Sequence, residues 1–342
     1  MRNRILLLIL FLCALAPSSA NADDTIATLG VGGLIPAKNT QIVMESEDLM
    51  ISVHKITVRY VFRNTSDKDI DALVEFPLPD LDGPSVYNVP MDIPNSEKSN
   101  FVDFEVMSGG KPIPTKMESR AFLNGQDITA RLRSAGVLVS VLLEPLNAGL
   151  KKLSQGQKEK LENEGLIIEG DYNPPLRSVG SHGWWATWTM RIKFYWKQHF
   201  PAHGNVTLVQ TYRPSVGGGY FWGGSEDGTV PIKEYCASTE ALRRIAELQK
   251  LIHPVKMYGA DITLNEREIV FILTTGNNWK GPIRHFQLVV QTDSSQDIVL
   301  TCMPGLKRIG ATRYEVTRTN FHPASDLKLM ILQPNKQTSI SQ

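Results

Sequence analysis

The stretch ITVRYVFRN, residues 56–64, decides the fold class. Ile56, Val58, Tyr60 and Phe62 alternate with Thr57, Arg59, Val61 and Arg63. A period of two separates an apolar face from a polar one only in an extended strand. Residues 64–69 are a polar turn, and Ile70, Ala72, Val74 and Phe76 then resume the alternation. The pair reads as a hairpin burying Tyr60, Phe62 and Phe76, with Arg59 and Arg63 in solvent. Pro77 and Pro79 stop the second strand, because proline donates no hydrogen bond to a ladder.

The same period recurs outward from this segment. Val102, Phe104 and Val106 begin a strand closed by a turn at Gly109-Gly110. Trp188, Met190, Ile192, Phe194 and Trp196 mark another, and Val206, Leu208, Gln210 and Tyr212 a third. Residues 80–100 hold three prolines and read as a long loop. Helical character is confined to 116–134 and 154–164, with Ser154 as N-cap, so a helical insertion is expected near 116–165. A short helix is expected over 239–251, opened by Ser238, followed by strands near 260–264, 268–275, 284–292, 297–302, 312–318 and 326–332. Between these halves lies Gly217-Gly218-Gly219-Tyr220-Phe221-Trp222-Gly223-Gly224. Five glycines in eight residues are entropically costly to order inside an element, so this run reads as a loop or hinge. The expectation is a mainly β fold with a few helices: two β-sandwich-like domains, residues 23–216 and 217–342.

Several stretches resemble the DUF4424 family of exported bacterial proteins: TLGVGGLIP at 28–36, IVMESEDLMISVHKITVRYVFRN at 42–64, FPLP at 76–79, FPAHGNVTLVQTYRPSVGG at 200–218 and ILTTGNNWKGPIRHFQLVV at 272–290. The resemblance implies compartment and architecture and carries no catalytic residues with it. A weaker likeness links Phe62-Arg63-Asn64, Phe76 to Pro79 and the Tyr212 strand to the VIT domain of inter-α-trypsin-inhibitor heavy chains. It implies a β-rich interaction module for residues 23–216. The D-x-S-x-S metal site of the adhesion domain that usually follows a VIT domain has no counterpart here.

The first 22 residues read as a cleaved signal peptide. Arg2 and Arg4 precede the apolar run Ile5 to Ala16, and Ala20-Asn21-Ala22 is a small-x-small cleavage site. The run is about half of the ~20 residues needed to span a bilayer, which weighs against a retained anchor. Leu12 before Cys13 does not suit a lipoprotein signal. Removing residues 1–22 takes away two arginines and no acid, leaving 34 basic against 35 acidic residues and a net charge of −1. That balance argues against nucleic acid or an anionic membrane as partner. No later apolar run reaches transmembrane length. The expected location is the periplasm or the cell exterior. Cys236 and Cys302 survive cleavage, and an even count in an exported chain reads as one disulfide.

No catalytic residue and no cofactor is expected. G-x-S-x-G and H-E-x-x-H are absent. S-x-x-K occurs at Ser52/Lys55, Ser108/Lys111 and Ser325/Lys328, but the first lies in strand pattern, where i and i+3 face opposite sides, and the second in a glycine turn. His199 and His203 are four apart, yet Pro201 between them denies the helix that would aim both at one metal. Asp67, Asp69 and Asp71, like Glu45, Glu47 and Asp48, fit turn chemistry or solvent faces and lack calcium-loop spacing. The candidate binding residues are aromatic: Trp184, Trp185, Tyr220, Phe221 and Trp222 near glycine-rich turns. Exposed rings there suit capture of an envelope or extracellular protein or a glycan. Plugging a domain interface or capping a core is their structural alternative. The expectation is a non-catalytic interaction protein, against a hydrolase of envelope polymers whose site is scattered through the chain.

Overall fold

The structure is a computed structural model and describes residues 25–30, 33–172, 181–221, 232–251, 255–257, 260–262 and 264–335. The expected signal peptide and Trp222 lie outside the described residues. Strands dominate and helices are few, as the alternation requires.

Three sheets carry the architecture. The largest has the order Lys307–Arg308, Arg313–Phe321, Ile283–Gln291, Ile42–Ile51, Ile56–Asn64, Asn205–Tyr212, Glu105–Ser108, Lys111–Ile113. A second runs Gln126–Asp127, Lys116–Leu123, Thr189–Phe200, Ile70–Pro77, Thr25–Gly30, Gly33–Ala37, with Leu81–Asp82 beside Thr189–Phe200. The third runs Ile298–Leu300, Leu327–Pro334, Leu264–Phe271, Val216–Phe221, Met91–Asp92.

The first two sheets face each other through aromatic rings. Phe62 meets Phe200 edge-on at 6.0 Å, and Phe76 meets Tyr212 at 5.6 Å. Phe76 also reaches Phe271 of the third sheet at 6.3 Å, so one apolar cluster joins all three. The other face of the third sheet holds a smaller cluster. Phe221, Leu264, Leu300, Met330 and Leu332 pack there beneath Ala241, Ile245 and Leu248 of the helix Thr239–Leu251. Cys236 and Cys302 form a disulfide, with Cα atoms 4.9 Å apart, that ties the start of this helix to the segment after Ile298–Leu300.

The core register holds: Tyr60, Phe62 and Phe76 are buried, and Arg59 and Arg63 are exposed. The expected hairpin is corrected. Ile56–Asn64 pairs with Ile42–Ile51 and Asn205–Tyr212, whereas Ile70–Pro77 pairs with Thr189–Phe200 and Thr25–Gly30 in the other sheet. The turn between them therefore crosses from sheet to sheet. Asn64 makes the crossing possible. Fully buried, its Nδ2 donates to Lys68 O at 2.8 Å and Phe200 O at 3.0 Å, while its Oδ1 accepts from Ser66 N at 2.9 Å.

Three local expectations also change. Lys116–Leu123 is a strand, because Lys116 to Phe122 ladder onto Tyr195 to Thr189 and tertiary pairing overrides a weak helical preference. The helical insertion is thus Thr129–Ser134, Leu143–Leu150 and Gln155–Asn163, the last opened by Ser154 in a full capping box. The loop over 80–100 contains the helix Gly83–Asn88, with Pro in its first turn and Asp82 capping Ser85 N. The glycine run is ordered through Phe221: Val216–Phe221 is a strand laddered onto Leu264–Phe271.

Hydrogen bonding does not break at the expected boundary 216/217. Ile283–Gln291 lies parallel to Ile42–Ile51 in one sheet, and Met91–Asp92 pairs with Val216 and Gly217 in another. The likeness of residues 23–216 to a VIT domain is accordingly not borne out. Among the described residues, no helix is long and apolar enough to cross a membrane.

Candidate functional site

The glycine strand explains the cavity beside it. Gly217 lies opposite Glu268, Gly218 opposite Arg267, Gly219 opposite Glu266 and Tyr220 opposite Asn265. A Cβ on Gly219 would sit 2.8 Å from Glu266 Oε2, closer than real side chains approach. A row without side chains therefore leaves room above the strand for what faces it. The neighbouring strand Met91–Asp92 covers only Val216 and Gly217. Around Gly218 onward opens a cavity of about 430 Å³, lined by Tyr220, Asn265, Arg267 and Gln333 and closed by His54 and Asp293 from two turns of the largest sheet.

Strand alternation sorts the polar groups. Asn265 and Arg267 share one face of Leu264–Phe271 with Gln333, the cross-strand neighbour of Asn265. Arg267 Nε donates to Gln333 Oε1 at 3.4 Å, and Gln333 Nε2 donates to Asp297 Oδ2 at 3.2 Å. His54 Nε2 meets Asp293 Oδ2 at 3.0 Å on an exposed rim. Asn265 Oδ1 is a buried acceptor without a hydrogen-bond donor.

Glu266 and Glu268 occupy the opposite face. Burial, then the charge of Glu268, pushes the Glu266 carboxyl up to about 7. Tyr235 Oη donates to Glu268 Oε1 at 2.5 Å, and burial followed by that bond raises the phenol pKa. Glu266 lines the 430 Å³ cavity, whereas Glu268 lines a smaller one of about 140 Å³ with Leu78, Asp80 and Tyr212.

A larger groove, about 770 Å³, surrounds the disulfide and the start of the helix Thr239–Leu251. Both of its arginines are already engaged. Arg244 donates to Tyr314 Oη at 2.7 Å and to Ser295 O at 3.0 Å, and Arg308 donates to Ser295 O at 2.9 Å.

The aromatic candidates are dispersed. Tyr220 lines the 430 Å³ cavity. Phe221, expected on an exposed loop, is 1% exposed in the core beneath the helix. Trp184 is buried too, on a strand whose backbone Asn147 clamps: Asn147 Oδ1 accepts from Trp184 N at 3.0 Å. Trp185 is half-buried, 5.3 Å from the Tyr87 ring. Sequence reading missed His54, Asn265, Arg267 and Gln333. Only the even spacing of Asn265 and Arg267 in a strand hinted at a shared face.

The other motifs find ordinary partners. Ser52 and Lys55 close a turn rather than a strand, Lys55 N donating to Ser52 Oγ at 3.0 Å. His199 ends a strand, its Nδ1 2.8 Å from Asp71, and His203 Nε2 lies 2.8 Å from Asp67, all exposed. Among the described residues, no group of three or more His, Cys, Asp or Glu is placed to hold a metal.

No functionally curated protein matches the chain. Among solved structures, a Legionella pneumophila protein provisionally named as nutrient-binding aligns over 90% of this chain and 72% of its own, at 15% identity and a TM-score of 0.40. The model of the "domain of unknown function (DUF4424)" matches residues 22–330, nearly the whole length. By that match, the chain belongs to the DUF4424 family.

Proposed function

We propose that this is an exported, non-catalytic binding protein of the periplasm or cell exterior, which holds a polar solute or glycan beside the glycine strand. The observation that carries the reading is the wall of the 430 Å³ cavity, where Gly218 and Gly219 carry no side chain and Asn265, Arg267 and Gln333 bring donors and acceptors. Polar groups converging on a concave space are the usual means of fixing a ligand's orientation. The disulfide supports an oxidising compartment, and the basic and apolar segments of residues 1–22 support export.

The test is capture from an envelope extract followed by native mass spectrometry. A small molecule should travel with the wild-type chain and be lost from Tyr220→Ala at an unchanged melting temperature. Retention by Tyr220→Ala, or no bound molecule in either, defeats the reading. Phe221 is unsuited to such a test, because its substitution removes core burial.

One observation favours hydrolysis of envelope polymers as a second reading. A carboxyl raised to about 7 is suited to general acid chemistry. Glycan hydrolysis ordinarily needs two carboxyls flanking one bond, and Glu268 opens to a different cavity. Turnover of an envelope glycan by the wild type and its loss in Glu266→Gln would establish the second reading over the first.

A further inference from the structure

We infer that the glycine-strand cavity takes a small solute bearing a carboxylate next to a hydroxyl or ammonium donor, an inference that rests on the binding role proposed above. Arg267 is the first reason. Asp92 and Glu266 also line the cavity, but neither pairs with it, and Asp293 is already engaged by His54. Among the described residues, no carboxylate lies within 4.0 Å of the guanidinium, whose one recorded partner is the neutral Gln333 at 3.4 Å. Gly218 stands directly across from it and offers no side chain, so the guanidinium remains open to the cavity. A planar fork of donors in that position matches a carboxylate in two parallel hydrogen bonds.

Asn265 is the second and independent reason. Two residues along the same strand face, its buried Oδ1 accepts from no donor. A buried acceptor left unpaired is destabilising, and a ligand hydroxyl or ammonium supplies the missing proton. Residues i and i+2 of a strand are roughly 6.5–7 Å apart, so two side chains reaching into one cavity can grip neighbouring groups of a single small molecule. Tyr220, across from Asn265, contributes a ring wall for that molecule's apolar side. A neutral sugar satisfies Asn265 but leaves the arginine charge uncompensated. A simple anion does the reverse. Both needs are met by a uronic acid or by an amino acid or short peptide with a free carboxyl end.

Calorimetric titration of the oxidised protein distinguishes these sources. The probes are D-glucuronate against D-glucose, and alanyl-alanine against alanyl-alanine amide. One carboxylate probe should bind at least tenfold more tightly than its neutral counterpart. Arg267→Gln should abolish that preference, Arg267→Lys should retain part of it, and Asn265→Leu should weaken the carboxylate probe at least tenfold. Each variant should keep its melting transition and its Cys236–Cys302 link, which excludes misfolding. Equal binding of charged and neutral probes, undiminished binding by Arg267→Gln, or no binding by any of the four overturns the ligand class. The binding role fails separately, through the extract experiment: a co-purifying molecule with no affinity for these probes leaves that role standing and sinks only the carboxylate assignment.

Discussion

Phe62 shows how much one alternating position carries. Its ring is fully buried and lies 4.4 Å from Trp279 and 6.0 Å from Phe200, contacts contributed by distant parts of the chain. Phe62→Ala is expected to cost about 3–5 kcal/mol in chemical denaturation, through lost burial and a residual cavity. Arg59→Ala and Arg63→Ala, on the exposed face, should each change stability by less than about 1 kcal/mol. Glu266 gives the residue scale a pH signature. The unfolded carboxyl titrates near its ordinary 4.5 and the folded one near 7. Between those values the folded state binds more protons than the unfolded state, so stability is greatest below the window and falls as pH rises through it. Melting temperatures measured across pH 4.5 to 7 should decline for the wild type, and Glu266→Gln should flatten that decline. An unchanged slope would remove Glu266 as its source.

Among elements, the segment Ser238 to Leu251 and its disulfide form the most separable piece. The helix covers a core of its own on the outer face of the third sheet, and the Cys236–Cys302 link closes a loop spanning 66 positions. Cross-linking a loop of that length stabilises mainly by restricting the unfolded chain, by about 2–5 kcal/mol. The double change of Cys236 and Cys302 to Ala should lower stability by that amount, read by denaturant titration. Non-reducing peptide mapping of the wild type should recover the two cysteines in one linked fragment. The crossing turn after Asn64 is the other decisive element. The strand patterns on both sides of it were readable in sequence, but its direction was not. A polar turn of the same composition closes a hairpin or changes sheets, and the choice depends on whether Asn64 can reach Phe200 O, which lies 136 positions away.

At the scale of the whole molecule, the largest sheet joins the two halves of the chain along one parallel seam. Ile283–Gln291 lies between Ile42–Ile51 and Arg313–Phe321, so neither half completes that sheet alone. A fragment of residues 23–216 should lack a cooperative thermal transition, whereas residues 23–342 should show one by circular dichroism. The proposed export carries its own check. Protein recovered from a bacterial periplasmic fraction should have an intact mass beginning at Asp23, within a residue or two, and a species retaining Ile5 to Ala16 would refute cleavage.

By itself, the sequence determined the strand periods, the helix over 239–251, the capped start at Ser154, the buried and exposed faces around Tyr60 and Phe62, and the cysteine pair. These depend on side-chain spacing within one element, or on a count, and spacing is a local property. Tertiary structure alone decided which strands become neighbours, and with that the site. Five glycines in a row of eight look like a loop because glycine favours no element; Val216–Phe221 becomes a strand because Leu264–Phe271 supplies its ladder and Glu266 and Glu268 occupy the space its missing side chains leave. Phe221 and Trp184 looked like exposed rings for the same reason, and proved to be core once partners covered them. His54 lies more than two hundred positions before Asn265 and Arg267 in sequence, and only the closing of two sheets against each other brings it to their cavity.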